Sequence, residues 1–450
     1  MIKENNKAMT QGVIWRQLLV FFFPIMLGTL FQQLYTMADA MIVGNFLGKQ
    51  ALAAVGGTAA AIVNLLVGFF VGLASGASVV IAQYFGAGAK KRLGRSIVTA
   101  MALGVAGGLI LMLGGIAASK TVLTIMQTPE DIFEDSLLYL NIYFTGMIPT
   151  AVYNTGAGIL RAVGDAKRPL YYLLVSCAVN IVLDIVMITV FHMGIAGAAA
   201  ATVISQWLSA VLVCIALIRQ KDLYGAEKGR LKIDGVILGR MLYIGLPAAI
   251  QSAMYNIANL IVQTSINTFG TDSVAAWSAY SRVDGLYGVI VLSFGTAIMT
   301  FSGQNFGAGE YGRIKGGVKS ALLMCGGATV VFSLASVIFA RPVVGMFTSE
   351  PDVIRQGAFM IYVLVPFQIV YIFAEILSGA VRGAGAAITP MVITCVSVCV
   401  LRSAWLLCVV PVWHTMLAVL LCYPVTWAVS SLAFVIYYKR GKWVKAAEEK

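Results

Sequence analysis

Charge is what this chain has least of. Asp, Glu, Lys and Arg make up 11% of its 450 residues, against roughly 25% in a typical soluble domain. So few charges do not cover a water-facing surface, and no stretch is left over that reads as a soluble domain. Histidine is scarcer still, with only His192 and His414, both at ends of apolar runs. Neither a histidine cluster for a metal nor a Ser/His pair for nucleophilic chemistry can be assembled from them. The seven cysteines (Cys177, Cys214, Cys325, Cys395, Cys399, Cys408 and Cys422) lie within or beside apolar runs, without metal-ligand spacing. They read as small apolar packing residues. The chain is therefore expected not to be an enzyme and to need no cofactor or metal.

What is present is apolar, with 60% of residues hydrophobic. A membrane span needs about 20 such residues, and roughly twelve segments of that kind follow one another between about residues 15 and 438. Only helices and closed barrels satisfy every backbone group in lipid, and runs this long and unbroken are helical. The first run extends far beyond a signal-peptide core and reads as an uncleaved span. The fold class expected is an all-α integral membrane protein of about twelve transmembrane helices.

The net charge of +12 does not point to nucleic acid, because of where it falls. With both termini inside, the inner segments carry Lys90, Lys91, Arg92, Arg95, Lys167, Arg168, Arg219, Lys221, Lys228, Arg230, Lys232, Arg313, Lys315, Lys319 and the tail from Lys439, while the outer loops carry Lys49, Lys120, Arg341 and Arg355. This is the positive-inside bias of a cytoplasmic membrane protein with cytoplasmic ends.

The chain also repeats itself. Gln83-Tyr84-Phe85-Gly86-Ala87-Gly88 returns 221 residues later as Gln304-Asn305-Phe306-Gly307-Ala308-Gly309, and Arg161-Ala162-Val163-Gly164 returns as Arg382-Gly383-Ala384-Gly385. Pro24 answers to Pro247, Asn45-x-x-Gly48 to Asn267-x-x-Gly270, and Pro169 to Pro390. The Gly-Ala-Gly segments read as turns between spans, since neither follows a strand nor carries a phosphate-loop lysine. Six spans precede the charged stretch 219–237 and six follow it. Six is even, so the repeats are expected to be parallel, related by a pseudo-two-fold along the membrane normal. The expected division is an amino-terminal lobe over 1–218, a cytoplasmic loop over 219–237 and a carboxyl-terminal lobe over 238–450.

Ionisable groups inside spans are expensive and mark candidate sites. Asp39 lies on the first span behind a stripe of Gln32, Tyr35 and Thr36, on a helix that Pro24 allows to bend. Asp184 lies on the fifth, with Asn180 one turn earlier on the same face, and Thr202 on the sixth adds a hydroxyl. Such oxygens suit either Na⁺ or a carried proton. At the repeat offset Asn180, Asp184 and Thr202 align with Leu401, Trp405 and Tyr423, while Asp39, near the shifted prolines, aligns with Val262 or Ile261, depending on a one-residue gap. This acidic cluster therefore belongs to the first lobe alone. The second lobe offers Gln251, Tyr255 and Asn259 on the seventh span and Glu375 on the tenth as cavity candidates. Arg282, Asp284 and Arg402 are ion-pair candidates, with Glu375 the expected partner of Arg402.

Order and duplication together resemble the multidrug and toxic compound extrusion (MATE) family over essentially the whole chain. The resemblance rests on the doubled six-span halves, the Pro24-to-Asp39 helix, the paired Ala-Ala and Gln-x-Phe-Gly-Ala-Gly segments and the paired Arg…Pro turns. It implies a V-shaped, two-lobed antiporter that exports organic cations or metabolites in exchange for H⁺ or Na⁺, and cationic, amphipathic organic compounds are the expected substrates. It further implies that Asp39, Asn180, Asp184 and Thr202 form the amino-lobe cation site of DinF-like and archaeal-type members, with Pro24 as their bending proline. A carboxyl-lobe site of the NorM type is not expected, because the seventh span offers only Gln251 and its amide neighbours. The alternative within the same superfamily, a lipid-linked oligosaccharide flippase, carries extra spans and a basic cavity. Small organic substrates and membrane lipid are the expected partners, nucleic acid is not, and a monomer is expected.

Overall fold

In the computed structural model, residues 9–220, 232–441 and 443 are described. Most of the expected inter-lobe loop, and the basic tail beyond Trp443, lie outside these residues. Among the described residues every regular element is a helix. Eleven are long and apolar enough to cross a membrane: Ile14–Gly56, Thr58–Gly86, Lys90–Ile125, Lys167–Val190, Gly194–Arg219, Gly235–Asn267, Thr271–Gly307, Tyr311–Ile338, Pro351–Gly383, Ile388–Trp413 and Met416–Lys439. The remaining crossing, fourth in order, is broken into Glu130–Thr145 and Met147–Ala162. It breaks at Gly146, which packs so closely on the sixth span that a Cβ there would meet Gln206 Oε1 at 2.3 Å. The count of twelve expected from hydropathy therefore stands, and the fold is an all-α membrane protein.

Polarity runs inside out. Val236, Leu407, Val331 and Ile338 are among many large apolar side chains on the surface, while Asn180, Asp184, Gln304, Asn305, Gln368 and Arg402 are fully buried. A lipid-facing surface demands this arrangement, because hydrocarbon supplies no partners for polar groups.

The duplication is visible in the backbone. Gly88 and Gly309 take φ of 65° and 76° in the Gly-Ala-Gly turns, and Gly164 and Gly385 take 86° and 97° after the paired arginines. His192 and His414 both adopt left-handed backbone at the carboxyl-terminal ends of the fifth and eleventh spans.

The described residues form two compact units, one within Phe23–Ala249 and the other of Met9–Phe22 with the chain from Ile250 onward. Two short pieces thus pack with the half other than the one they are contiguous with in sequence. The first span changes unit between Phe22 and Phe23, beside Pro24, and the seventh between Ala249 and Ile250, beside Pro247.

Within the first unit, the start of the seventh span lies against the second through glycine. A Cβ on Gly72 would come 2.6 Å from Ala249 Cα, and one on Gly245 would come 2.3 Å from Leu73 O. Arg240 donates to Gln83 Oε1 (3.2 Å) and to the Tyr84 hydroxyl (3.1 Å), and Arg95 pairs with Asp234 at 3.6 Å.

Within the second unit, the start of the first span is held by the repeated motif. Met9 N donates to Gln304 Oε1 (2.8 Å) and Asn305 Nδ2 donates to Met9 O (3.1 Å). Phe22 stacks on Phe294 with ring centroids 4.0 Å apart. The Gln-x-Phe-Gly-Ala-Gly segments thus do more than turn the chain, since each anchors the leading piece of a span from the other half.

Candidate functional site

In the first unit, the site is built where the fifth and sixth spans meet. Asn180 and Asp184 are one turn apart, and both are fully buried. Immediately after Asp184 the helix relaxes into π-helical pitch over Val186–Val190, a distortion found at functional positions in membrane and soluble helices alike. Thr202 faces them from the sixth span: Asn180 Nδ2 approaches Thr202 Oγ1 at 3.5 Å, and Thr202 donates to Ala198 O at 3.1 Å.

Asp39, half-buried on the first span, brings its carboxyl group within hydrogen-bonding reach of that of Asp184. The Tyr35 hydroxyl lies beside Thr202. The structure therefore assembles Tyr35, Asp39, Asn180, Asp184 and Thr202 into one cluster. Gln32 and Thr36 fall on the exposed part of the same helix, and Thr36 is spent on a bond to Gln32 O (3.0 Å).

The donors of the cluster do not serve its acidic oxygens: Asn180 Nδ2 turns to Thr202, and Thr202 to Ala198 O. Asp39 Oδ1, both carboxylate oxygens of Asp184 and Asn180 Oδ1 are buried without a hydrogen-bond partner. Buried polar atoms left in this way are costly. Two carboxylates facing each other can be reconciled only by a shared proton or by a cation, and the amide and hydroxyl oxygens beside them are the ligand types a hard cation takes.

Two members were not anticipated from sequence. Tyr139 and Tyr143, with ring centroids 5.7 Å apart, stand near the acids. Their four-residue spacing on the fourth span was the available signal.

The second unit holds a different polar centre. Asp284 accepts from Gln368 Nε2 (2.9 Å) and from the Tyr280 hydroxyl (3.2 Å). Gln251 donates to Thr394 Oγ1 (2.9 Å), the Tyr255 hydroxyl lies against that of Tyr371, and Asn259 is exposed. Arg282 does not join Asp284: it is exposed and lies over the Phe347 ring at 5.8 Å.

The expected pairing of Arg402 with Glu375 is not formed. Glu375 accepts from Tyr371 (3.4 Å) and faces Arg382, two turns further along its own helix, at 3.9 Å. Gly295 makes room for its carboxyl group, since a Cβ there would sit 2.5 Å from Glu375 Oε1. Arg402 instead bonds Thr426 Oγ1 at 3.2 Å and packs on the Tyr423 ring at 4.2 Å.

A duplicated array of twelve membrane-crossing helices with a pair of facing acids in one unit is the architecture of a membrane transporter. The MatE family model matches this chain twice, over residues 24–186 and 247–405, and the chain belongs to that family. It is 28% identical over 442 residues to the probable multidrug resistance protein YpnP of Bacillus subtilis (strain 168), covering 96% of this chain and 97% of the relative. It is 27% identical over 444 residues to the probable multidrug resistance protein YoeA of the same organism, covering 95% and 94%. Among solved structures, the outward-facing conformation of a multidrug resistance MATE family transporter of the MOP superfamily matches 98% of both chains, with a TM-score of 0.89 at 22% identity.

Proposed function

We propose that this protein is a secondary antiporter of the cytoplasmic membrane, with both termini inside, that exports organic and mainly cationic, amphipathic compounds in exchange for H⁺ or Na⁺. The carrying observation is the Asp39–Asp184 pair with its donor-free oxygens, present in one repeat and missing from the other. A structural acid would be met by donors, as Asp284 is. An acid meant to exchange an ion is left open to it. The printed names of the relatives, multidrug resistance proteins, support the substrate class.

In this reading Asp39, Asp184, Asn180 and Thr202 hold the coupling ion. Its arrival neutralises the acids, and the first span, free to bend at Pro24, adjusts around Asp39. Ion and substrate then alter each other's affinity reciprocally. The test is efflux of a fluorescent organic cation from proteoliposomes under separately imposed proton and sodium gradients. Asp39→Asn and Asp184→Asn are each expected to abolish the gradient-driven component. Gradient-driven efflux that persists in both variants would sink the assignment.

A further inference from the structure

Each unit has charged groups at its centre whose hydrogen-bonding capacity is unmet. In the first, two acids lack donors. In the second, a guanidinium lacks acceptors. Arg402 is fully buried, and its Nε and Nη1 have no hydrogen-bond partner. Of its contacts, only the Thr426 hydroxyl accepts a hydrogen bond, and the Tyr423 ring stacks at 4.2 Å. Among the described residues it forms no ion pair. Asp284 and Glu375, the acids of this unit's interior, are committed to Gln368 and Tyr280, and to Arg382 and Tyr371.

An arginine never sheds its proton in such a place, so the charge is permanent. Its fork of donors matches a carboxylate in shape as well as sign. The helix is prepared for it, because π-helical pitch over Cys395–Leu401 ends at Arg402 itself. Around it stand Tyr423, Trp427, Tyr371 and Trp277, linked through ring contacts of 5.6–5.8 Å. Tyr423 and Tyr371 are half-buried and reach the accessible surface, with the guanidinium behind Tyr423. A cage of rings would ordinarily invite an organic cation. Here Tyr423 is already engaged by a cation of the protein's own.

We infer that the second unit carries a subsite for an anionic group, a carboxylate of a transported organic compound. The aromatic rings take the apolar body of the compound. The carboxylate reaches Arg402 when the Tyr423 ring swings aside, on an edge that Nη2 shares with Nε or with Nη1. The inference rests on reading the chain as an exporter of organic compounds, and it goes beyond that reading in assigning Arg402 to the recognition of an acidic group.

The test compares two probes that differ at one group, rhodamine B with its free carboxylate and rhodamine B methyl ester. Both are titrated against the purified full-length protein in detergent by fluorescence anisotropy. In the unaltered protein, acetate is expected to compete with the acid probe and not with the ester. Arg402→Gln is expected to weaken the acid roughly tenfold or more, the scale of a lost charge-assisted hydrogen bond, and to leave the ester within about twofold. Arg402→Lys, which keeps the charge and loses the fork, should fall between. Acetate that competes with neither probe in the unaltered protein overturns the subsite. So does an equal loss of both probes in Arg402→Lys, or an unchanged acid affinity in Arg402→Gln. Export of the ester from proteoliposomes is measured alongside. If the ester is not exported, the exporter reading fails; if it is exported while the acid behaves as the ester does, only the subsite fails.

Discussion

Gly76 of the second span and Gly245 of the seventh meet backbone to backbone. A Cβ on Gly76 would lie 2.4 Å from Gly245 N and 2.3 Å from Met241 O. Small residues permit this approach, and in lipid it is dispersion and close packing that hold helices together. Gly245 also lies on Leu73, and at the repeat offsets (221 residues for Leu73, 223 for Gly245) the counterpart of that contact in the second unit is the Phe22–Phe294 stack. The same helix-on-helix contact is thus made by glycine in one unit and by aromatic rings in the other.

Because backbone atoms rather than flexible side chains stand in the way, Gly76→Ala and Gly245→Ala are expected to destabilise the protein. Each should cost on the order of 1–3 kcal/mol, the usual range for overpacking. Gly239→Ala, where nothing lies within 4 Å of the added Cβ, is the control and should raise stability slightly through helix propensity. Thermal unfolding followed by size-exclusion chromatography in detergent measures all three.

Arg313 donates to Asn305 Oδ1 (3.1 Å), Gly12 O (3.1 Å), Met9 O (3.3 Å) and Gln17 Oε1 (3.2 Å), so it ties the leading piece of the first span into the second unit. Arg313→Ala leaves these acceptors to find other partners. Amide exchange of residues 9–22 is expected to quicken by at least roughly tenfold, matching loss of about 1.5–3 kcal/mol for bonds to a charged group. Arg313→Lys should not restore protection, because a point charge cannot reach four acceptors in a fork. Hydrogen–deuterium exchange mass spectrometry reads the result directly, and exchange unchanged in Arg313→Ala would remove the anchoring role.

Asn180 contributes one bond to Thr202 and leaves its own Oδ1 unpaired. Replacing it with Leu removes a buried unsatisfied acceptor at similar volume. Stability should therefore be held or raised, within about 1 kcal/mol. Ion-driven efflux should nevertheless fall at least roughly tenfold, if an oxygen ligand worth about 1.4 kcal/mol or more is lost. A variant that is both stable and fully coupled would show that the amide takes no part in holding the ion.

Glu375 and Arg382 form the ion pair that sequence reading had assigned elsewhere. Their side chains are 15% and 18% exposed, so removing one partner leaves a largely buried charge. Glu375→Gln is expected to destabilise the protein by roughly 1–3 kcal/mol, below the full cost of breaking a tight buried pair because the contact is long. A double-mutant cycle with Arg382→Gln should recover part of that loss. Gradient-driven efflux per folded molecule should change far less than in Asp39→Asn. Efflux measured at matched folded-protein concentration separates the two effects.

Much of this was legible without coordinates. Hydropathy and the doubled motifs give the helices, their number and their repetition, because lipid imposes span length and backbone satisfaction on any sequence that enters it. The isolation of Asp39, Asn180, Asp184 and Thr202 in one repeat was visible for the same reason. A polar group in a span is conspicuous, and its missing counterpart can be read from the alignment of the halves. Their convergence follows from local rules only in part. Asn180 and Asp184 share a face by helical spacing, but Thr202, Asp39 and the tyrosines at 139 and 143 reach them through packing.

Partnership across helices was not legible. Arg402 and Glu375 were paired by elimination, yet Arg402 turns to Thr426 and Tyr423 on the twelfth span, and Glu375 to Arg382 on its own. Nor did the pattern reveal that residues 9–22 and 235–249 pack with the opposite half, because a continuous helix has the same periodicity whichever unit it lies against. By itself, the sequence determined that this is a twice-repeated helical membrane protein in which Asp39, Asn180, Asp184 and Thr202 have no counterparts in the second repeat, since those properties depend on local polarity and spacing. Only the tertiary structure decided which charges are met and which are left open. That depends on which helix faces come within about 3 Å of one another, and no spacing along a single span records it.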